Sequence, residues 1–295
     1  MRVFVTGATG FIGGVVIPEL LSAGHQVLGL ARSDDGARAL AAAGAQAHRG
    51  TLEDLGSLRD GAAQADGVIH AGFIHDFSKF AENCEVDRRA IEAIGDVLAG
   101  TGKPLVVTAG IPPMPGRPTT EDDVVPPDHP MPRVSEPSAL ALVARGVRAT
   151  VMRLPQVHDR DRAGLVNYFI AIARQKGVSA YVGEGHNRWA AVHRLDVAPL
   201  YRLALENGVA GARFHAVAEE GVTARQIAES IGRGLKIPAV SVSAEEAMSH
   251  FGPLGFFAGM DITASSALTQ QRLGWRPAQA TGLIDDVDHS SEFAA

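Results

Sequence analysis

Apolar residues fall in short dense runs, and the stretches between them carry helical spacing. Arg2-Val3-Phe4-Val5 opens the series as a run that predicts a strand buried on both faces. The same pattern recurs at Gln26 to Leu30, Ala45 to His48, Gly67 to His70, Leu105 to Thr108 and Ala149 to Met152. Between them the spacing predicts helices from about Phe11 to Ala23 (stopped by Gly24, with Pro18 inside), over Ala37 to Ala43 (closed by Gly44) and from Phe80 to Leu98. Alternation of strand and helix at this length predicts an α/β fold with a doubly wound parallel sheet. Right-handed crossovers place helices on both of its faces.

The second half reads differently. Helices are expected near Val166 to Gln175, Val197 to Glu206 and Ala224 to Leu235, among shorter elements. The expected organisation is a large sheet domain over 1–157, to which about 187–209 returns, and a smaller C-terminal lobe from 158–186 and 210–295. Two segments stand outside regular structure. Ile111 to Pro137 is rich in proline and reads as a long extended loop, either a lid or a surface excursion. Phe251 to Gly259 sets aromatic residues between glycines, as a flap or a packed loop.

The chemistry begins at the first strand-to-helix turn, Thr6-Gly7-Ala8-Thr9-Gly10-Phe11-Ile12-Gly13. Gly7 permits a tight turn, Gly10 lets a pyrophosphate approach the backbone, and Gly13 lets helix and strand pack closely. Thr9, Phe11 and Ile12 complete the loop, and the helix N-terminal amides behind it face the phosphates. This is a Rossmann-like dinucleotide site. After the second strand, an acidic residue would read the ribose hydroxyls of NAD. Here Arg32 and Ser33 occupy that turn, and Arg32 can pair with a 2′-phosphate. Such a bond is worth roughly 1.5–3 kcal/mol, about ten- to a hundredfold in affinity. The expected cofactor is therefore NADPH/NADP+, although Asp34 and Asp35 follow immediately.

Composition narrows the remaining classes. Of 295 residues, 46% are hydrophobic and 20% charged, enough for a sizeable core. A formal charge of −6 argues against a nucleic-acid binder. Cys84 is the single cysteine, so no intramolecular disulfide forms, and it reads as packing. No histidine pair has carboxylates or cysteines at ligand spacing, so no metal is assigned. No apolar run reaches a membrane span and no signal peptide is read, so a cytoplasmic location is expected, with a small-molecule partner.

Several motifs together resemble the short-chain dehydrogenase/reductase superfamily, in its extended and atypical branches with NAD-dependent epimerase/dehydratase character. They are the Gly-x-x-Gly-x-x-Gly loop, His70-Ala71-Gly72, Arg153-Leu154-Pro155-Gln156-Val157-His158, Val192-His193-Arg194-Leu195-Asp196-Val197-Ala198 and the closing Arg272-Leu273-Gly274-Trp275-Arg276-Pro277. The resemblance implies that Ala71, Gly72 and Phe73 line the pyrophosphate and ribose. It implies that Pro155, Val157 and His158 flank the nicotinamide, and that Thr51-Leu52 stands where an Asp-Leu pair reads the adenine. It also implies a dimer through two helices, the second of which looks shortened around Pro137 to Arg145; the oligomeric state stays open.

The proton-donating Tyr-x-x-x-Lys motif of that superfamily is absent. Tyr168, Tyr181 and Tyr201 are followed four residues later by Ile172, Gly185 and Leu205. Matching the motif's Ser-Lys to Ser135-Glu136 puts Glu136 at the lysine position and Pro132 at the tyrosine position. Thr108 is the nearest hydroxyl at the serine-bearing strand end and is given an orienting role. His75, His158, His193 and Tyr168 are the substitute acids to consider, with Thr108, His158 and Tyr168 as the catalytic candidates. For substrate binding the candidates are His75, Tyr168, Tyr181, Trp189, His193, Phe256 and Phe257, apolar rings with polar ends suited to a flat substrate.

The sequence also looks like polyketide ketoreductases of antibiotic pathways. That resemblance implies NADPH-dependent reduction of a ring ketone on a polycyclic aromatic polyketide. With the tyrosine absent, the proton would come from water, a substitute side chain or the substrate itself, such as a phenol beside the ketone. Two alternatives remain: a non-catalytic NADP(H) sensor, and a sugar-nucleotide epimerase or dehydratase.

Overall fold

The computed structural model describes residues 1–125 and 132–294. The first half alternates β1 (Arg2–Thr6), α1 (Gly13–Ser22), β2 (Gln26–Ala31), α2 (Asp34–Ala42), β3 (Gln46–Arg49), α3 (Leu55–Ala63), β4 (Gly67–His70), α4 (Phe80–Leu98), β5 (Pro104–Gly110), α5 (Ser135–Ala141) and β6 (Arg148–Leu154). The second half adds β7 (Gln156–His158), α6 (Val166–Lys176), β8 (Ser179–Val182), β9 (Arg188–His193), α7 (Arg194–Asn207), β10 (Arg213–His215), β11 (Glu219–Thr223) and α8 (Ala224–Leu235). It ends with β12 (Ala239–Val242), α9 (Ala244–Phe251), α10 (Gly255–Ala258), α11 (Ala267–Leu273) and α12 (Leu283–Asp288).

Seven parallel strands form the main sheet in the order β10-β6-β5-β4-β1-β2-β3. Successive side chains on each strand serve opposite faces. Val3, Val5, Ile69 and Val106 pack with Val16, Ile17 and Leu20 of α1 and Val197, Leu200 and Tyr201 of α7. Phe4, Val68, Leu105 and Val107 pack instead with Leu58 of α3 and Ala90, Ile91, Ile94 and Leu98 of α4. Burial on both faces explains why these strands are continuous apolar runs. The chain reverses its direction of winding between β1 and β4, and the crevice above their C-terminal ends is where a doubly wound sheet binds ligands.

The expected doubly wound architecture is present, and three boundaries shift. Arg213–His215 falls in the expected smaller lobe, yet it is β10, hydrogen-bonded to β6 at the edge of the main sheet. Residues 188–193 do not return to that sheet; β9 pairs with β7 and β11 in a separate three-stranded sheet. Only α7 returns, against α1. The smaller lobe is completed by the parallel pair β8 and β12 and by a core around Val166, Ile170, Trp189, Ile227 and Leu283.

The proline-rich segment is a packed strap over its described part. Thr119 donates to the Thr263 carbonyl, its own carbonyl accepts from Ser265, and Thr119 and Glu121 are fully buried. The remainder of the candidate lid, 126–131, lies outside the described residues. Residues 251–259 are likewise helical and packed: Phe251, Leu254 and Ala258 sit in one apolar cluster with Phe77 and Phe169.

Beneath the strap, Arg153 is wholly buried and forks onto Glu136, with two N–H···O contacts of 2.7 Å. Arg213 adds a third at 2.6 Å. Burial alone would raise the Glu136 carboxyl; the hydrogen bonds and charges of Arg153 and Arg213 outweigh it and hold the group below its ordinary range. The residue aligned with the motif lysine is therefore a structural anion. Glu136→Ala should cost about 3–5 kcal/mol in urea unfolding, because Arg153 is left as an uncompensated buried charge. A cost below about 1 kcal/mol would contradict this reading. The Glu136 contribution is complete above the ordinary carboxylate range and fades as pH falls through its lowered value, so the variant's stability should vary less with acid.

Candidate active site

The glycine loop is fixed by contacts with the end of β4. Gly7 has φ +66°, and a Cβ there would lie 2.7 Å from the Ala71 carbonyl and the Gly72 nitrogen. The Gly10 amide donates to the Gly7 carbonyl at 2.9 Å, closing the turn. A Cβ on Gly13 would lie 2.2 Å from that same carbonyl, so α1 starts here only with glycine. Leu52 approaches from the third strand's loop, where its Cδ2 is 3.0 Å from the Cβ position of Gly72. The structure thus gathers Gly7, Thr9, Gly10, Phe11, Ile12, Gly13, Leu52, Ala71 and Gly72 at one crevice. Thr51 is exposed beside it, its hydroxyl accepting from Glu53.

At the end of β2, the two carboxylates that cloud the cofactor reading turn away. Asp34 pairs with Arg49 at 2.8 Å, and Asp35 pairs with Arg38. Ser33 caps α2 by accepting from the Gly36 amide at 3.1 Å. Arg32 is exposed and forms no ion pair among the described residues. Thr9 and Ser33 both lie 3.3 Å from the Cβ position of Gly36, so the glycine loop adjoins this turn.

A buried hydrogen-bonded chain runs inward from the loop. The Gly72 amide donates to Thr6 Oγ1 (3.1 Å), Thr6 contacts His70 Nδ1 (2.9 Å), and His70 Nε2 contacts Asp87 Oδ1 (3.1 Å). The other carboxylate oxygen of Asp87 accepts from Ser135 (2.5 Å), and Ser135 accepts from Arg133 Nε (2.9 Å). Because Asp87 only accepts, Nε2 of His70 carries a proton. Burial would raise the Asp87 carboxyl, but His70, Arg133 and Ser135 together hold it below its ordinary value. Asp87 is therefore a fixed anion with a donor on each side.

Arg133 closes this chain beside Thr108 and Phe73. Its Nη2 donates to the Thr108 carbonyl at 3.2 Å, and its guanidinium carbon lies 4.2 Å from the centre of the Phe73 ring. Sequence reasoning missed it. The motif alignment passes from Pro132 to Glu136 and steps over it, although an arginine one residue from the vacant tyrosine position was the available signal.

From Phe73 a wall of rings extends toward the smaller lobe. Phe73 meets His75 at 5.2 Å and Phe80 at 6.1 Å; Phe77 meets Phe80, Tyr168 and Phe257 at 5.8, 5.3 and 6.1 Å. Phe256 joins through Phe257 and is exposed. The Tyr168 hydroxyl donates to the His75 carbonyl at 3.4 Å. Burial and the charges of Arg133 and Arg162 push the His75 imidazole below its ordinary value, against a backbone hydrogen bond at Phe73. It is neutral near pH 7 and makes a poor acid there.

Four candidates belong elsewhere. His158 is buried, with Nδ1 donating to Asp286 at 2.7 Å, and burial holds it below its ordinary value despite that partner. His193 stands 5.7 Å from it and caps α7 by accepting from Leu195. Trp189 is a core residue, stacked on Phe169 at 5.4 Å and donating to the Met260 carbonyl. Tyr181 faces Arg225 rather than the ring wall. Pro155 and Val157 follow the end of β6, Val157 being buried. Thr108 donates its one proton to the His70 carbonyl (2.9 Å), so the contact with Tyr201 (2.6 Å) is a bond from the phenol to Thr108. Tyr201 is fully buried, and burial raises its pKa further. Neither hydroxyl is a donor toward the crevice.

Residues 3–217 match the model of the NAD dependent epimerase/dehydratase family. The chain belongs to this family. The epimerase/dehydratase-family chain is 50% identical over 289 residues to an uncharacterized protein of Schizosaccharomyces pombe, covering 97% of this chain and 98% of that one. Over 99 residues it is 36% identical to the 4-hydroxy-2-methyl-3-oxo-4-farnesyl-3,4-dihydroquinoline-1-oxide ketoreductase of Stigmatella aurantiaca, covering 34% of this chain and 29% of the relative. In fold it is similar to the UDP-glucose 4-epimerase of Thermus thermophilus in complex with NAD, with a TM-score of 0.75, 20% identity and 98% of both chains covered. These comparisons place the chain in the NAD dependent epimerase/dehydratase family and show that it shares the fold of that epimerase.

Among the described residues of this family member, no helix is long and apolar enough to cross a membrane. The crevice fits a dinucleotide because Gly7, Gly13 and Gly72 leave no room for side chains between loop, helix and β4. Gly13→Ala should therefore weaken binding of a reduced nicotinamide dinucleotide by about tenfold or more in a fluorescence titration. Unchanged binding by a folded variant would show that the loop does not hold the cofactor.

Proposed function

We propose that the chain is an NADPH-dependent reductase of a ketone carried on an apolar, ring-bearing substrate. The observation that carries this reading is the wall of Phe73, Phe77, Phe80, Tyr168 and Phe257, which starts at the residues after β4 and leads away from the glycine loop. Offset and edge-on ring contacts suit a flat apolar body. The partial relative from Stigmatella, whose name is that of a ketoreductase acting on a dihydroquinoline ring, supports the same class. The polycyclic polyketide ketones to which the sequence resemblance points fall within it.

Gly7, Gly10 and Gly13 hold the pyrophosphate at the loop, Leu52 packs at the adenine end, and Ala71, Gly72 and Phe73 line the ribose. Arg32, with Asp34 and Asp35 paired elsewhere, holds the 2′-phosphate that distinguishes NADPH. When bound, the nicotinamide supplies hydride. The protein's part is to align the ketone against the ring wall and exclude water from it, which is catalysis by positioning. Thr108 keeps the end of β5 in place through its bonds to His70 and Tyr201. The proton of the new alcohol comes from water or from a hydroxyl on the substrate itself.

Incubation with 4-deuterated NADPH and either 1-tetralone or 1-acenaphthenone should place deuterium on the carbinol carbon. Cofactor binding with no label in either alcohol would overturn the reductase reading in favour of a sensor. Arg32→Asp should move the NADPH/NADH preference toward NADH by about tenfold or more. An unchanged preference would remove Arg32 from the 2′-phosphate site.

A further inference from the structure

We propose that Arg133 is a catalytic residue that binds the substrate carbonyl oxygen and holds the oxyanion formed when hydride adds to the carbon. The inference rests on the reductase reading and adds to it the group that takes over from the absent tyrosine.

Three observations converge on this residue. The first is position. Arg133 bonds to the Thr108 carbonyl near the end of β5 and lies over Phe73 just beyond β4, between the ribose end of the crevice and the ring wall. A ring ketone resting on Phe73, Phe77 and Phe257 has its oxygen at this end of the wall.

The second is rigidity. Arg133 Nε is tied to Ser135, Ser135 to the buried Asp87, Asp87 to His70, and His70 to Thr6 at the root of the glycine loop. The cation is thereby set in register with the cofactor loop rather than left on a mobile side chain. Its fork carries five N–H donors, and among the described residues the bonds to Ser135 and Thr108 use two of them. The residue can hold an oxygen and stay anchored.

The third is electrostatic. Asp87 is separated from Arg133 by the Ser135 hydroxyl, so among the described residues the guanidinium is steadied without a direct ion pair. The half-buried setting strengthens its field at an oxygen that gains charge in the transition state. Arg162, which lies 5.9 Å above the Phe11 ring, adds a second cation on the loop side.

The step balances. Hydride adds to the carbonyl carbon and the C=O π pair moves to oxygen. The resulting oxyanion accepts N–H bonds from Arg133. It then takes a proton from water or from a neighbouring hydroxyl of the substrate. The guanidinium keeps its own protons, as an arginine side chain does in proteins. Arg133 therefore acts as a fixed positive donor, and Ser135 and Asp87 are positioning residues acting through it.

The test uses alizarin, a flat anthraquinone whose phenol changes colour on ionising, bound to the protein in the presence of NADP+. With the oxidised cofactor no reduction occurs, so the result is independent of turnover. The wild type should hold the phenolate, lowering the apparent pKa of the bound dye by about one unit, a tenfold shift. Arg133→Gln should abolish the shift, while NADPH binding, measured by fluorescence, shows the variant to be folded. Ser135→Ala, which keeps the charge and removes the tether, should retain only part of it. An equal shift in wild type and Arg133→Gln would overturn the proposal, as would an equal shift in wild type and Ser135→Ala for the positioning roles. If the dye behaves as expected but no ketone is labelled, the reductase reading fails and the oxyanion site stands. If ketones are labelled but the shift ignores Arg133, the reverse holds.

Discussion

The contact between Gly7 and the Ala71–Gly72 backbone governs the architecture of this site. No Cβ fits between the two segments, and Gly13 repeats the constraint against the Gly7 carbonyl. Together they bring the start of α1 down onto the crevice between β1 and β4, where its amides can face a phosphate. The same approach puts the Gly72 amide on Thr6 and so starts the buried chain through His70, Asp87 and Ser135 to Arg133. Cofactor loop and substrate cation are thus two ends of one hydrogen-bonded structure. A buried network of this kind is stable only when its buried members are satisfied, and here Thr6, His70, Asp87 and Ser135 each have hydrogen-bond partners.

What is legible in the sequence is what depends on neighbours along the chain. The glycine spacing, the apolar strand runs and the Arg32-Ser33 turn are local signals, and each appears where the spacing puts it. His75, Tyr168 and Phe257 also come together, from the loop after β4, from α6 and from α10. β10 is invisible to the pattern, since three residues are too few to show a period. Trp189 and Tyr181 mislead for a different reason: an aromatic ring with a polar end reads alike in a core and in a cleft. His158 is held by Asp286, 128 residues away, inside the protein, and no local pattern reports that. Arg133 is the same case, since Asp87 and Thr108 give it meaning and both are distant in sequence.

The missing Tyr-x-x-x-Lys motif is the largest departure from the superfamily pattern, and the structure shows what stands in its place. The lysine position became Glu136, absorbed into a buried cluster with Arg153 and Arg213 that braces β6 and β10. The tyrosine position is followed at once by Arg133. On the proposed reading, a fixed cation stands beside the position of the superfamily's proton donor, and a second charge belongs to the framework. A site of this design stabilises developing negative charge and leaves proton delivery to solvent or substrate. It suits flat, apolar, ring-bearing ketones, which the aromatic wall can hold and whose oxygen the guanidinium can reach.

The most direct measurement is a crystal structure of the protein with NADP+ and 1-acenaphthenone. The dinucleotide is expected to run from Arg32 across the glycine loop to Phe73, with the ketone oxygen within hydrogen-bonding distance of Arg133 and its rings against Phe77 and Phe257. A ketone bound with its oxygen away from Arg133, or a crevice that holds no dinucleotide, would contradict this arrangement.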